Sequence, residues 1–317
     1  MYNNNIKEYF LMNYPTDSKT TYEKLFLKSE QLEREQCLDL YEFDINHISD
    51  FVRSLKLNYV ATARNYGSII KSYITWAIHE GYTKNPLNPL EGVPSTWFDQ
   101  FITTDFLPYF SYKQIRSLSL FCENAQDAVI IEAIFEGIQG KEVCELRNLK
   151  LDDVNFDENK VRLIDENGEK RTLVVSHNLM ETIEDALSET TYLKKNGRME
   201  GESNVRYFTD LVDSNFVVRS SNTTRDKTNG AVDKHVIFRR LTTISKLYAI
   251  ANLNVKNISR SGMIKMGYDL LNIYGKLERD QYLEIAERYK INSLPSLKEI
   301  VSVQNINRLY DSHDLLK

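Results

Sequence analysis

Lys234, His235, Arg239 and Arg240 fall within seven residues of one another, near the head of a stretch, Val232–Ala251, whose apolar spacing predicts a helix. Lys246 lies further along the same stretch and Arg260 beyond it. Cations clustered in this way hold phosphate oxygens by charge-assisted hydrogen bonds, and arginine or lysine on a helix face reads base edges in a major groove. Residues 206–270 contain 11 Lys and Arg against 5 Asp and Glu, a net of +6, whereas the whole chain carries −5 and the remainder therefore −11. One basic segment in an acidic chain still makes a local positive surface, because screening in cells acts over about 8–10 Å. Arg64, Lys71 and Lys84 early in the chain, and Lys150 in its middle, are further phosphate-binding candidates.

Other chemistries find little support. Cys37, Cys122 and Cys144 lie far apart, with no CxxC and no metal-ligand spacing, and read as reduced thiols in helices. Neither a metal nor a cofactor is expected. With 317 residues, 42% hydrophobic and 27% charged, the chain reads as a globular protein of two domains. No apolar run is long enough for a bilayer, and the start, MYNNNIKEYF, lacks the basic and apolar regions of a secretory signal.

Behind these residues the periodicity predicts a frame. Residues 1–20 read as a loose arm or a short helix. Thr21–Leu40, Asp44–Leu55 and Asn58–His79 read as helices, the third (Tyr59, Tyr66, Ile69, Ile70, Tyr73, Ile74, Trp76) ending at Gly81 and the Asn85-Pro86 and Asn88-Pro89 stops. Glu91–Ser111, with Pro94, Pro108, Trp97, Phe98, Phe101, Phe106, Tyr109 and Phe110, reads as an aromatic linker packed on one domain. Ser111 caps a helix over Tyr112–Asn124. Ala128–Phe135 is an apolar helix broken at Gly137 and Gly140. A short amphipathic helix follows (Val143, Cys144, Leu146, Leu149), then a β-hairpin of Lys160–Ile164 and Arg171–Val175 around Asn167-Gly168. Asn178–Leu193 reads as a helix, Lys194–Asn204 as an exposed loop, Phe216–Val218 as a strand and Ser220–Gly230 as a polar segment. Two or three helices broken at Pro295 close the chain, after one that begins near Asn257.

Helix, glycine corner, helix and hairpin, with Gly137, Ile138, Gln139, Glu142, Val143, Leu146, Arg147 and the turn Asp152-Asp153-Val154, resemble the start of the catalytic domain of tyrosine recombinases (phage integrases). Upstream, Thr62, Arg64, Tyr66, Ile70, Trp76-Ala77, Gly81 and Asn85-Pro86 resemble the end of that family's core-binding domain. The resemblance implies a mainly α fold with a small β-hairpin or sheet. Residues 1–92 would form a helical, SAM-like core-binding domain, 93–111 a linker, and 112–317 an α+β catalytic-like domain.

Such enzymes cut DNA by tyrosine attack on a phosphodiester, with arginines and a hairpin lysine aimed at the phosphate oxygens. Here Gln139 stands where the resemblance places the first arginine, and a neutral amide supplies no charge. Glu166 falls near the hairpin lysine, with Lys160 and Lys170 offset as shifted substitutes. The family's histidine-x-x-arginine box matches Asn257-Ile258-Ser259-Arg260, which keeps the arginine and replaces the histidine. Leu283–Asn292 resembles the segment before a second histidine but contains none. Lys298–Val303 contains no tyrosine where the nucleophile belongs, and Tyr310 is a late substitute. The resemblance is then to a catalytically degenerate branch, nearest the master repressors of SPbeta-like Bacillus phages.

It implies a protein that clamps operator DNA without cutting it, represses transcription and maintains lysogeny in the bacterial host cytoplasm, at the nucleoid. A homo-oligomer formed through the tail, or a regulatory protein partner, is compatible with it. An active integrase with a shifted site and a protein-interaction module without DNA binding stay open as alternatives.

Overall fold

The computed structural model describes residues 1–57, 60–83, 85–102, 108–198, 206–223 and 228–310, Asp17 by its backbone alone. The chain divides into two compact units, Met1–Leu107 and Pro108–Lys317.

In the first unit, helices α1 (Asn4–Leu11), α2 (Thr16–Gln36), α3 (Ile45–Ser54) and α4 (Val60–His79) enclose one core. Residues 4–11 of the expected arm are helical because Lys7, Phe10 and Leu11 are buried; the Lys7 ammonium donates to Glu33 of α2. Asp44 starts α3 by accepting from the Asn46 and His47 amides at 2.9 and 2.8 Å. Asn58 and Tyr59 lie outside the described residues. Tyr66, Ile69, Ile70, Tyr73 and Ile74 turn one face of α4 inward. Gly67 leaves a dimple on that helix, and the Phe98 ring lies where a Cβ would stand.

Part of the stretch read as a linker packs on this first unit. Residues 95–101 form a 3-10 helix whose Phe98 and Phe101 belong to the first unit's core. Asp99 also holds Arg64 through two hydrogen bonds of 2.8 and 2.6 Å. Phe106 lies outside the described residues; Tyr109 and Phe110 pack within the second unit.

The second unit is built around α6 (Ala125–Phe135), every residue of which from Gln126 onward is buried. Before it comes α5 (Tyr112–Leu120), started by a Ser111–Gln114 capping box. After the corner at Gly137 and Gly140 come α7 (Cys144–Asn148) and an antiparallel sheet of β1 (Val154–Asn155), β2 (Lys160–Ile164) and β3 (Lys170–Val174). Its register sets Val161 opposite Leu173, which places both on the core face with Leu163.

Helix α8 (His177–Ser188) is shorter than expected. Glu189 leaves it, and its carboxylate accepts the Ala125 and Gln126 amides at 3.2 and 2.9 Å, so it caps the N-terminus of α6. The next residues form β4 (Thr191–Leu193), paired with β5 (Phe208–Asp210). The expected exposed loop after it instead begins with a tight turn whose Asn196 is buried, tied to Glu123, Phe121 and Tyr248; residues 199–204 are outside the described residues. Val217 and Val218 are core residues, and the Val217 amide donates to Leu149.

Then come α9 (Lys234–Leu247), α10 (Val255–Tyr274), α11 (Arg279–Tyr289), α12 (Leu294–Ile300) and α13 (Val303–Leu309). Helix α10 meets the end of α6 at Gly262, where a Cβ would stand inside the Phe135 carbonyl. Leu297, Val301 and Ile306 of the tail bury against Met263, Ile264 and Leu270 of α10. The fold is mainly helical with a small sheet, as expected. No described helix is long and apolar enough to cross a membrane.

Candidate nucleic-acid interface

The corner between α6 and α7 organises the site. Gly137 and Gly140 have φ of +97° and +65°, and a Cβ on Gly140 would stand 2.6 Å from Cys144 Sγ. Glycine is required on both counts. Between them, Gln139 turns its amide inward to donate to the Tyr289 carbonyl at 3.2 Å. It ties the corner to α11 and presents no cation.

Below the corner lies a buried ion network that the sequence reading missed. Glu145 of α7 is fully buried and accepts two bonds from Arg171 of β3, at 2.8 and 2.7 Å. The same guanidinium donates to the Gly137 and Arg288 carbonyls at 2.9 and 2.6 Å. Lys290, just past α11, sits 3.4 Å from Glu145 and 3.1 Å from Asp165. Burial works against its charge, but the hydrogen bond to Asp165 and the Glu145 carboxylate raise its pKa above the ordinary lysine value. Arg288 binds the Glu136 and Val174 carbonyls at 2.9 and 3.0 Å. One signal was available: a glutamate on the apolar side of α7, beside Cys144 and Leu146, needs a cationic partner.

Above the corner the pairs face solvent. Lys141 reaches Glu166 at 2.8 Å across the hairpin tip, and Lys234 of α9 pairs with Glu142. Asn257 is buried in the first turn of α10, donating to the Asn252 carbonyl at 2.9 Å. Arg260, one turn on, is half-buried and makes no hydrogen bond or ion pair among the described residues. Its neighbour Lys256 has its pKa lowered, chiefly by the Arg260 charge. Tyr310 accepts the Tyr112 amide at 3.0 Å and stacks on Tyr268 with centroids 4.7 Å apart; burial pushes its pKa up.

The model of the MrpR C-terminal catalytic domain matches residues 109–311, and that of the MrpR N-terminal core-binding domain matches residues 1–79. The chain belongs to the MrpR family. It is 24% identical to the SPbeta prophage-derived uncharacterized protein YopR of Bacillus subtilis (strain 168), over 98% of this chain and 97% of that one. A solved lambda integrase (75–356) dimer, bound to a COC′ core site, covers 98% of this chain and 96% of its own at a TM-score of 0.50 and 10% identity. The MrpR chain is thus tyrosine-recombinase-like in fold.

The structure of this MrpR member sorts the predicted DNA-binding residues. His235, Arg239 and Lys246 are exposed on α9, with Phe238 exposed beside His235, ring centroids 6.1 Å apart. Arg240 is corrected: it is 5% exposed, on the inward face with Val236, Ile237, Leu241 and Ile244. Its guanidinium donates to the Arg219 carbonyl at 2.8 Å, lies 3.8 Å from the Asp127 carboxylate and covers the Tyr192 ring. It holds the core together and cannot read a base. Arg64 is committed to Asp99, and Lys71 lies 3.4 Å from Glu91. Lys150 covers the Phe216 ring at 4.9 Å, and Lys84 lies outside the described residues.

Proposed function

We propose that the protein is a sequence-specific DNA-binding transcriptional repressor of a temperate phage, built on a recombinase fold that does not cut DNA. The observation that carries this reading is the employment of the catalytic positions. Gln139 is spent on the Tyr289 carbonyl, Glu166 on Lys141 and Asn257 on the Asn252 carbonyl, while the late tyrosine, Tyr310, is held by Tyr112. None of these is a cation or a free nucleophile. Arg260 alone keeps the charge that the recombinase resemblance assigns to a phosphate. Duplex DNA is the proposed partner because the lambda integrase of like fold was solved on its core site, and a phage setting follows from the prophage origin of YopR. The exposed side of α9, with His235, Phe238, Arg239 and Lys246, would face the bases and the flanking phosphates.

The test is a selection of fragmented phage and host DNA on the purified protein at about 0.15 M salt, a physiological ionic strength. Recurring fragments with intact ends are expected. Nicked or protein-linked ends would replace the reading with that of an active integrase, and no retention at all with that of an interaction module. On a retained site, Arg260→Ala should weaken binding to all sequences and flatten the log–log salt slope by about 0.9, the loss of one phosphate contact.

A further inference from the structure

The corner carrying Gln139 is strained where it enters α7. Glu142 and Val143 have φ of +53° and +61°, left-handed values that are costly for a β-branched valine. Lys141 and Glu142 both stand outward from this turn. Lys141 meets Glu166 on the hairpin tip, with side chains 72% and 39% exposed. Glu142, 49% exposed, meets Lys234, 29% exposed, at the first residue of α9, so this pair is partly open to solvent. The hydrogen bond to Glu166 raises the Lys141 pKa, and that to Lys234 lowers the Glu142 pKa, so each partner favours the charged form of these two side chains. They differ from the cations beneath: Arg171 and Lys290 meet a Glu145 that is wholly buried. An exposed pair is weak and is displaced by a competing anion, whereas a buried one is not.

We propose that Lys141 and Lys234 are phosphate-binding groups of this face, and that Glu166 and Glu142 occupy their anion sites until a DNA phosphodiester displaces them. This rests on the DNA-binding reading. A carboxylate and a phosphodiester are both monoanions that accept hydrogen bonds from an ammonium, so the exchange preserves the charge balance at each lysine. It has a cost in affinity, because each released carboxylate stays near the DNA and gathers a counterion. Fewer counterions are then set free overall, and the salt slope is shallower than the number of phosphate contacts implies.

The experiment compares the full chain with Glu166→Gln and Glu142→Gln, on a retained site and on an unrelated duplex of equal length. Each variant is expected to bind both duplexes about 3- to 10-fold more tightly near 0.1 M salt, and to steepen the log–log slope by up to about 0.9. Lys141→Gln should cost more affinity in the Glu166→Gln background than in the native chain. Glu158→Gln is the control: Glu158 pairs with Lys160 at 2.9 Å, at the opposite end of β2 from the tip, and removes the same charge. If the control gains as much as the two variants, the effect is one of net charge and the proposal falls. It also falls if native protein binds DNA while both variants keep its affinity and slope. If native protein retains no duplex, the DNA-binding reading fails and takes this inference with it.

Discussion

Replacing Arg240 with alanine should destabilise the protein by about 3–5 kcal/mol, since it removes the cation beside the buried Asp127 carboxyl, which keeps only the Tyr192 hydroxyl and the Asn124 amide as partners. Arg239→Ala, one residue away on the exposed side, should cost less than Arg240→Ala. Urea titration checks both, and a loss of base preference in Arg239→Ala with unchanged stability would place readout on the outer face. The inward direction of Arg240 was legible: Val236, Ile237, Leu241 and Ile244 set the phase of α9, and position 240 falls inside it. Grouping the cations by adjacency in the chain hid this. The Glu145 network was less legible, because its partners come from β3 and from the residue after α11, 26 and 145 positions away. A second buried cluster gives a pH dependence. Among the described residues Lys7 is the one cation paired with Glu33 and Asp39, all three side chains lacking solvent exposure, and burial raises both carboxyl pKa values. A carboxyl whose folded pKa is raised favours the fold most when protonated, and that contribution is lost as pH climbs through the raised value. Asp39→Asn should therefore gain stability relative to native protein as pH rises from about 4 toward 7. Equal pH profiles for the two in thermal unfolding would sink the argument.

Elements whose residues repeat or alternate around a turn were found from the sequence, and the pairing of short strands distant in the chain was not. Helices α3, α4 and α6 and the β2–β3 hairpin lie where periodicity and the Asn167-Gly168 turn put them. The β4–β5 pair was missed because three-residue strands carry too few alternations, and because Phe208–Asp210 is distant from Thr191–Leu193 in the chain. What sequence cannot display is how closely two elements approach, and α10 provides the test. Gly262→Ala would place a methyl in the Phe135 carbonyl and against the Tyr289 hydroxyl, which itself donates to Phe135 at 2.7 Å. It should cost at least about 1–3 kcal/mol, the range for overpacking. It should also weaken DNA binding through Arg260, two residues away. Gly275→Ala, at the C-terminus of the same helix, meets nothing within 4 Å and has only its φ of +70° against it. That should cost about 1 kcal/mol and leave DNA binding alone. Equal losses from the two would mean that α10 does not depend on close contact with α6.

The scale of the whole molecule is set by three cores. One comprises Phe10, Phe26, Phe51, Tyr73 and their neighbours in the first unit; α6 and the C-terminal helices carry the others in the second. The length of the chain implies two domains, and the resemblance sets them at 1–92 and 112–317 with 93–111 between. The division falls at Leu107 and Pro108 because the aromatic stretch belongs to the first core. A fragment 1–107 should therefore fold, with a cooperative thermal transition and dispersed amide resonances. A fragment 1–92 removes Phe98 and Phe101 from that core, empties the dimple at Gly67 and leaves Arg64 without Asp99. Losing one buried phenylalanine side chain costs about 3–5 kcal/mol, and small domains have only about 5–15 kcal/mol in total. Loss of the pair should leave 1–92 largely unfolded. Within 1–107, Phe98→Ala should be markedly destabilising, whereas Trp97→Ala, which removes a half-buried ring, should cost less. If 1–92 proves as stable as 1–107, the aromatic segment is a linker after all, and the dimple at Gly67 has another purpose.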